Sequence, residues 1–231
     1  MAAPRPEPPL GVIFDLDGLL VDSEPLQVLS FRKVMEEHGI DLTDEDFEAM
    51  VGFHTRDNFR YVREKYGLER SVESLLSAKD AAYRDIITAQ MRTCRGADEL
   101  VAALHARGVP MAVASSSPRR DVLLSLDTVR LTRFFTVIAT ADDVRETKPA
   151  PDLYLLAQQR IAVPARRCVA FEDAGPGLQA ALAAGLLCIA VPHRFTAKHD
   201  FSRAARVLDS LSQISVDDLL ELVARGDRSP L

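Results

Sequence analysis

The scarce residue types narrow this chain before any motif is read. Cysteine occurs three times, at Cys94, Cys168 and Cys188. Spacings that wide suggest neither a disulfide framework nor a cysteine zinc site, and buried, reduced thiols are the expectation. No apolar run approaches the ~20 residues needed to cross a bilayer, so no membrane span is expected. The opening MAAPRPEPPL carries prolines where a secretory leader would carry an apolar core. Residues 1–9 therefore read as a flexible lead-in and the protein as cytoplasmic. Blocks of one charge are missing too. Lys and Arg number 28 against 34 Asp and Glu, a net charge of -6 with no basic stripe. That leaves no electrostatic footprint for nucleic acid or an anionic membrane as a partner, and a small anionic substrate would need local positive charge. The five histidines are scattered, without metal-ligand spacing. No internal repeat stands out.

What is present is an alternation. Short apolar runs at 12–16, 110–114, 137–139, 168–171 and 187–191 are each too brief for a helix. Between them lie helical patterns, at 97–108 with Leu100, Ala103 and Leu104 on one face and Gly108 as a stop, at 152–161, and at 177–186. Strands that are continuously apolar, alternating with helices, call for a parallel sheet covered on both faces. The expected fold is an α/β, doubly wound, Rossmann-like core. From Pro25 to about Thr93 only helical periodicity is found. Residues 10–22 and 94–231 are thus assigned to the core, and 23–93 to a small inserted all-helical cap.

Ligands in open parallel sheets lie outside the carboxyl ends of the strands, and here acids arrive there. The first run leads into Asp15 and Asp17 in GVIFDLDGLLVDS, followed at once by Gly18; the fourth leads into Glu172 and Asp173. Two carboxylates about 4 Å apart repel by roughly 4 kcal/mol at an effective ε of ~20. A divalent cation would relieve that, and oxygen-only ligands suit Mg²⁺. Ser115, Ser116 and Ser117 follow the second run, and Lys148 follows the third at some distance. Carboxylates, Mg²⁺, hydroxyls and a lysine are the parts that hold a phosphoryl group and stabilise its transfer. Asp15 is the candidate nucleophile and Asp17 the candidate general acid and base, which would start protonated.

In combination these motifs resemble the haloacid dehalogenase-like hydrolases: DLDGLLVDS, Ser115, Lys148 and Glu172-Asp173 stand in the order of that family's motifs. The resemblance covers about residues 10–222. It is nearest to the phosphoglucomutase-like subgroup with a four-helix cap, through DGLLVDSEPL, ASSS, KPAPDLY and FEDAGPGLQAALAAG. It implies that Asp15 and Asp173 bind Mg²⁺ with the backbone carbonyl of Asp17, that Glu172 assists directly or through water, and that Ser115 and Lys148 bind phosphate, with the amides of Leu16 and Ser116 as added donors. An aspartate at position 17 is what the phosphotransferring members keep and the dehalogenases lack. Gln27 stands where the subgroup's mutases carry histidine. Hydrolysis of a small phosphorylated metabolite, such as a sugar phosphate, by a monomer or weak dimer is therefore the expectation. Hexose-phosphate mutase and non-catalytic phosphate binding are the alternatives.

Other polar residues carry plainer expectations. Asp22 or Ser23 can N-cap the helix holding Pro25. Ser117 is either a site residue or a turn residue; Arg119 and Arg120 read as surface. Gly175 and Gly177 permit a turn and close helix approach. In VGFHTRD, 51–57, taken as a loop between cap helices, His54 and Arg56 either meet the distal part of a substrate or are solvated. Met50, Phe59 and Tyr61 read as cap core.

Overall fold

The computed structural model describes residues 10–50 and 55–225. Along the chain come β1 (Gly11–Phe14), then four helices, α1 (Glu24–Glu36), α2 (Asp44–Met50), α3 (Thr55–Tyr66) and α4 (Val72–Gln90). Next are α5 (Ala97–Ala106), β2 (Met111–Ala114), α6 (Arg119–Thr128), β3 (Val137–Ala139), α7 (Asp152–Ile161), β4 (Cys168–Glu172) and α8 (Gly175–Ala183). The chain closes with β5 (Leu187–Ala190), β6 (Arg206–Val207) and α9 (Val216–Arg225). Among the described residues two compact units result, one formed by 10–22 and 92–225, the other by 23–50 and 55–91.

The first unit holds a six-stranded parallel sheet in the order β3-β2-β1-β4-β5-β6. Its inner strands are apolar on both faces because both are covered. On one face Ile13, Ala112, Ala114, Ala170 and Cys188 meet Leu153, Tyr154 and Ala157 of α7 and Leu178 and Ala181 of α8. Small side chains there let the helices lie close to the strands. Phe14 and Phe171, paired across β1 and β4, stack at 5.2 Å between ring centres, with Phe135 edge-on to Phe14 at 6.1 Å. β6 is a two-residue edge strand with no apolar run to announce it.

The second unit packs Phe31, Val34 and Met35 of α1 with Phe59 and Val62 of α3 and Val72, Leu75 and Ala82 of α4. Phe31 and Phe59 stack at 4.4 Å. Met50 and Phe59 are buried as read from the sequence, while Tyr61 is half-buried and its hydroxyl donates to Asp46. Asp46 is a buried carboxylate in this small core. It accepts from the Thr43 amide and hydroxyl, both at 2.9 Å, from Tyr66 at 2.6 Å and from Lys65 at 2.7 Å. Burial opposes its charge, but Lys65, Tyr66 and Thr43 outweigh that and hold its carboxyl well below the usual range.

Two local expectations are corrected. Ser23 is the N-cap residue of α1, but its side chain makes no capping hydrogen bond; Pro25 in the first turn supplies the preset φ instead. Arg56 is not in a loop, because α3 begins at Thr55 and includes it.

Candidate active site

β1 is where the sheet's winding reverses: the neighbouring strands on its two sides, β2 and β4, are reached by separate stretches of chain. A crevice opens at such a point beyond the strands' carboxyl ends. The Asp15 amide still donates to Phe171 O, 3.0 Å, so this acid is pinned at the end of the ladder. Beyond it the Leu16 carbonyl accepts from the amides of Leu19, Leu20 and Val21. That tight turn is possible because Gly18 adopts φ +79°, and a Cβ on it would stand 2.8 Å from His193 Nε2 and 2.9 Å from Asp173 Oδ2.

Glu172 is the last residue of β4 and Asp173 follows it; with Asp15 they are buried, and each offers an oxygen within 4.8 Å of the others'. Lys148 Nζ donates to Asp15 Oδ1 and lies 2.6 Å from Glu172 Oε1, its side chain 8% exposed. Tyr154, from α7, donates its hydroxyl to Glu172 Oε1 at 2.5 Å. A Cβ on Gly177 in α8 would overlap the Glu172 carboxylate, so the close approach read from the sequence is realised against a site residue.

The serines behind β2 are arranged differently from one another. Ser115 is buried; its amide bonds Ala139 O and its Oγ accepts from the Ser117 amide at 3.1 Å. Ser116 is exposed. Ser117 donates its hydroxyl to Asp17 Oδ2 at 2.9 Å, so it belongs with the acids. The Asp17 carboxylate is turned to Ser117 and is not among the three grouped carboxylates. Arg119 is only partly at the surface: it donates to Ile138 O at 3.0 Å and Asp143 Oδ2 at 2.7 Å, bracing the end of β3. Of the cap residues named from sequence, His54 lies outside the described residues. Arg56 is ion-paired with Glu73 at 2.6 Å, both side chains exposed.

Sequence reasoning missed Tyr154 and His193. Tyr154 lies within the helical pattern at 152–161, and nothing in its neighbours marks the hydroxyl. His193 had a signal: it follows β5, and strand ends were where the acids had been found. Its Nε2 lies 2.9 Å from Asp173 Oδ2.

The electrostatics favour a cation. Burial pushes the Asp15 carboxyl well above its usual range; Lys148 pulls it back, while Glu172, Asp173 and Asp17 push it further up. Glu172 is raised for the same reasons, burial first, with Lys148 opposing and Asp173 adding. Burial works to lower Lys148, but Asp15 and Glu172 outweigh it and raise it. The Cys94 thiol is pushed up to about 12, by burial first and then by the negative field of Asp22, Asp173, Asp15 and Asp17. One ammonium cannot balance three buried carboxylates, and an all-oxygen donor set in a negative field fits a hard dication such as Mg²⁺. Asp15, Glu172 and Asp173 could hold it.

Known proteins similar to this chain point to one family. A profile of the family described as haloacid dehalogenase-like hydrolase matches residues 12–191. A phosphorylated carbohydrates phosphatase of Thermotoga maritima is 30% identical over 175 residues, 76% of this chain and 81% of that protein. A putative phosphatase of Bacillus subtilis, YhcW, is 32% identical over 213 residues, covering 91% of this chain and 96% of its own. Among solved structures, a putative beta-phosphoglucomutase from Thermotoga maritima superposes with a TM-score of 0.80 at 26% identity, over 94% of this chain and 99% of that one.

Proposed function

The chain belongs to the haloacid dehalogenase-like hydrolases, and on that premise we propose that it is a Mg²⁺-dependent phosphatase of small phosphomonoesters, sugar phosphates among them. One observation carries the reading: Asp15, at the switch-point end of β1, is grouped with Glu172, Asp173 and the Lys148 ammonium in a buried cluster.

In this reading Asp15 is the nucleophile. Its ion pair with Lys148 favours the anion and opposes the burial that raises its carboxyl. A carboxylate oxygen bonds to phosphorus as the bond to the leaving alkoxide breaks, and Asp17 gives the alkoxide its proton. Asp17 then takes a proton from a water, whose oxygen attacks phosphorus and frees Asp15 as inorganic phosphate departs. The Ser117 hydroxyl, donating to Oδ2, fixes the carboxylate plane of Asp17 for both transfers. Ser115, the Ser116 amide and Lys148 hold the phosphoryl oxygens. Asp15, Asp173 and the main-chain carbonyl of Asp17 would hold Mg²⁺, with Glu172 joining directly or through water. Bound there, the ion supplies the positive charge that offsets the transferring group's oxygens.

Hydrolysis is tested by phosphate release from a panel of phosphorylated sugars and nucleosides with Mg²⁺, and with the metal removed by chelation. Release that needs the metal supports the reading; release unaffected by chelation overturns the metal's part in it. Transfer to a second sugar hydroxyl instead of water is the other reading, favoured by the superposition on a putative beta-phosphoglucomutase. Gln27 counts against it. Its Oε1 is taken up by Lys79 Nζ, and an amide cannot carry the proton that such a transfer has to relay. An isomerised sugar phosphate forming faster than inorganic phosphate would reverse this choice.

A further inference from the structure

The loop after β5 brings a histidine onto a carboxylate of the proposed metal group. His193 Nε2 lies 2.9 Å from Asp173 Oδ2. The other ring nitrogen has its own partner: Nδ1 accepts the Phe195 amide at 3.3 Å. An accepting Nδ1 carries no proton, so in the neutral ring the N–H is on Nε2 and points at Asp173. The loop is itself fixed, since the His193 amide donates to Thr196 Oγ1 at 3.0 Å and the Thr196 and Ala197 amides donate to His193 O at 3.0 and 2.9 Å. Directly beneath the imidazole–carboxylate contact runs Gly18, where any Cβ would intrude on both partners. The turn after Asp17 therefore has the shape this hydrogen bond needs.

Resting on the Mg²⁺ reading above, we propose that His193 is a positioning residue: its Nε2–H holds the Asp173 carboxylate in the orientation that receives the cation. In this role it acts through Asp173 and not on the substrate itself. A carboxylate free to rotate loses entropy each time it captures an ion; one held by a donor does not, and removing such partners typically weakens metal binding about 10–100-fold.

The test is calorimetric titration of Mg²⁺ alone into metal-free wild type, His193→Ala and His193→Gln, with circular dichroism to establish that each is folded. Glutamine can present an amide N–H near the position of Nε2. The expected result is an Mg²⁺ Kd raised about 10–100-fold in H193A and restored to within about threefold of wild type in H193Q. At saturating Mg²⁺, H193A should regain kcat on p-nitrophenyl phosphate with KM unchanged, because the loss acts through metal occupancy. Wild-type affinity in H193A overturns the inference while the phosphatase reading stands, as does an H193Q defect as large as that of a folded H193A. A wild-type protein that hydrolyses phosphoesters but binds no Mg²⁺ overturns the metal reading itself, and the inference with it.

Discussion

At the scale of single residues, Asp15, Lys148, Glu172 and Asp173 each have a partner that limits their movement. Asp15→Asn keeps the shape of the side chain and removes the anion that attacks, so it is expected to lower p-nitrophenyl phosphate hydrolysis by at least about 10³-fold. Phosphate release at a wild-type rate from D15N would be incompatible with Asp15 as nucleophile. Gly177→Ala tests the crowding around Glu172. That carboxylate is clamped by Lys148 and Tyr154 and cannot step aside for a methyl group. The change should cost about 1–3 kcal/mol of stability by denaturant unfolding and weaken Mg²⁺ binding; an unchanged midpoint would mean that Glu172 is freer than it looks. Acids and Lys148 were legible in the sequence because strand ends concentrate function and few structural needs place two acids there. Tyr154 was not, since a hydroxyl on an apolar helix face looks like core until its partner across 18 residues of chain is known.

At the scale of elements, α2 and α3 are tied together by one carboxylate. Asp46 titrates well below the unfolded value of about 3.9. Its contribution to stability is therefore complete above that value and is lost as pH falls below it toward the folded value. Asp46→Asn should cost about 2 kcal/mol at neutral pH, the usual worth of a hydrogen bond to a charged group. It should also flatten the fall in stability between about pH 5 and 3. Urea unfolding of the full chain, followed by circular dichroism across that range, measures both; parallel pH profiles for wild type and D46N would refute the assignment. Helical periodicity and apolar runs made most elements legible, while their ends moved for local reasons. The expected first strand, 12–16, ends at Phe14 because the chain turns sharply around the Leu16 carbonyl. α8 starts at Gly175, two residues before the expected start, because Pro176 fits a helix's first turn. β6 could not be read, being one half-buried and one exposed residue whose strand signal is their pairing with β5.

At the scale of the whole molecule, the doubly wound class followed from the alternation of elements, but the strand order did not. Order is set by contacts between segments far apart in sequence, and a list of strands is compatible with several arrangements. Knowing that β1 lies between β2 and β4 is what brings Asp15 beside Glu172. With the charges gathered in this way, ligand binding should stabilise the fold by mass action. Mg²⁺ at about 100 times its Kd is worth about 2.7 kcal/mol, so the unfolding midpoint of the metal-free protein should rise on adding Mg²⁺, and D15N should show a smaller rise. A midpoint indifferent to Mg²⁺ would leave the buried carboxylates without the counter-charge proposed for them.

Whether Asp15 captures phosphorus in a crevice whose acids are neutralised by Mg²⁺ is decided by a crystal structure of the protein grown with Mg²⁺ and beryllium trifluoride. The expected density has beryllium bonded to a carboxylate oxygen of Asp15, with Mg²⁺ on Asp15 and Asp173 and with Lys148 and Ser115 on the fluorines. Beryllium bonded to another side chain, or a crevice without either ion under conditions that load a related phosphatase, would contradict that capture.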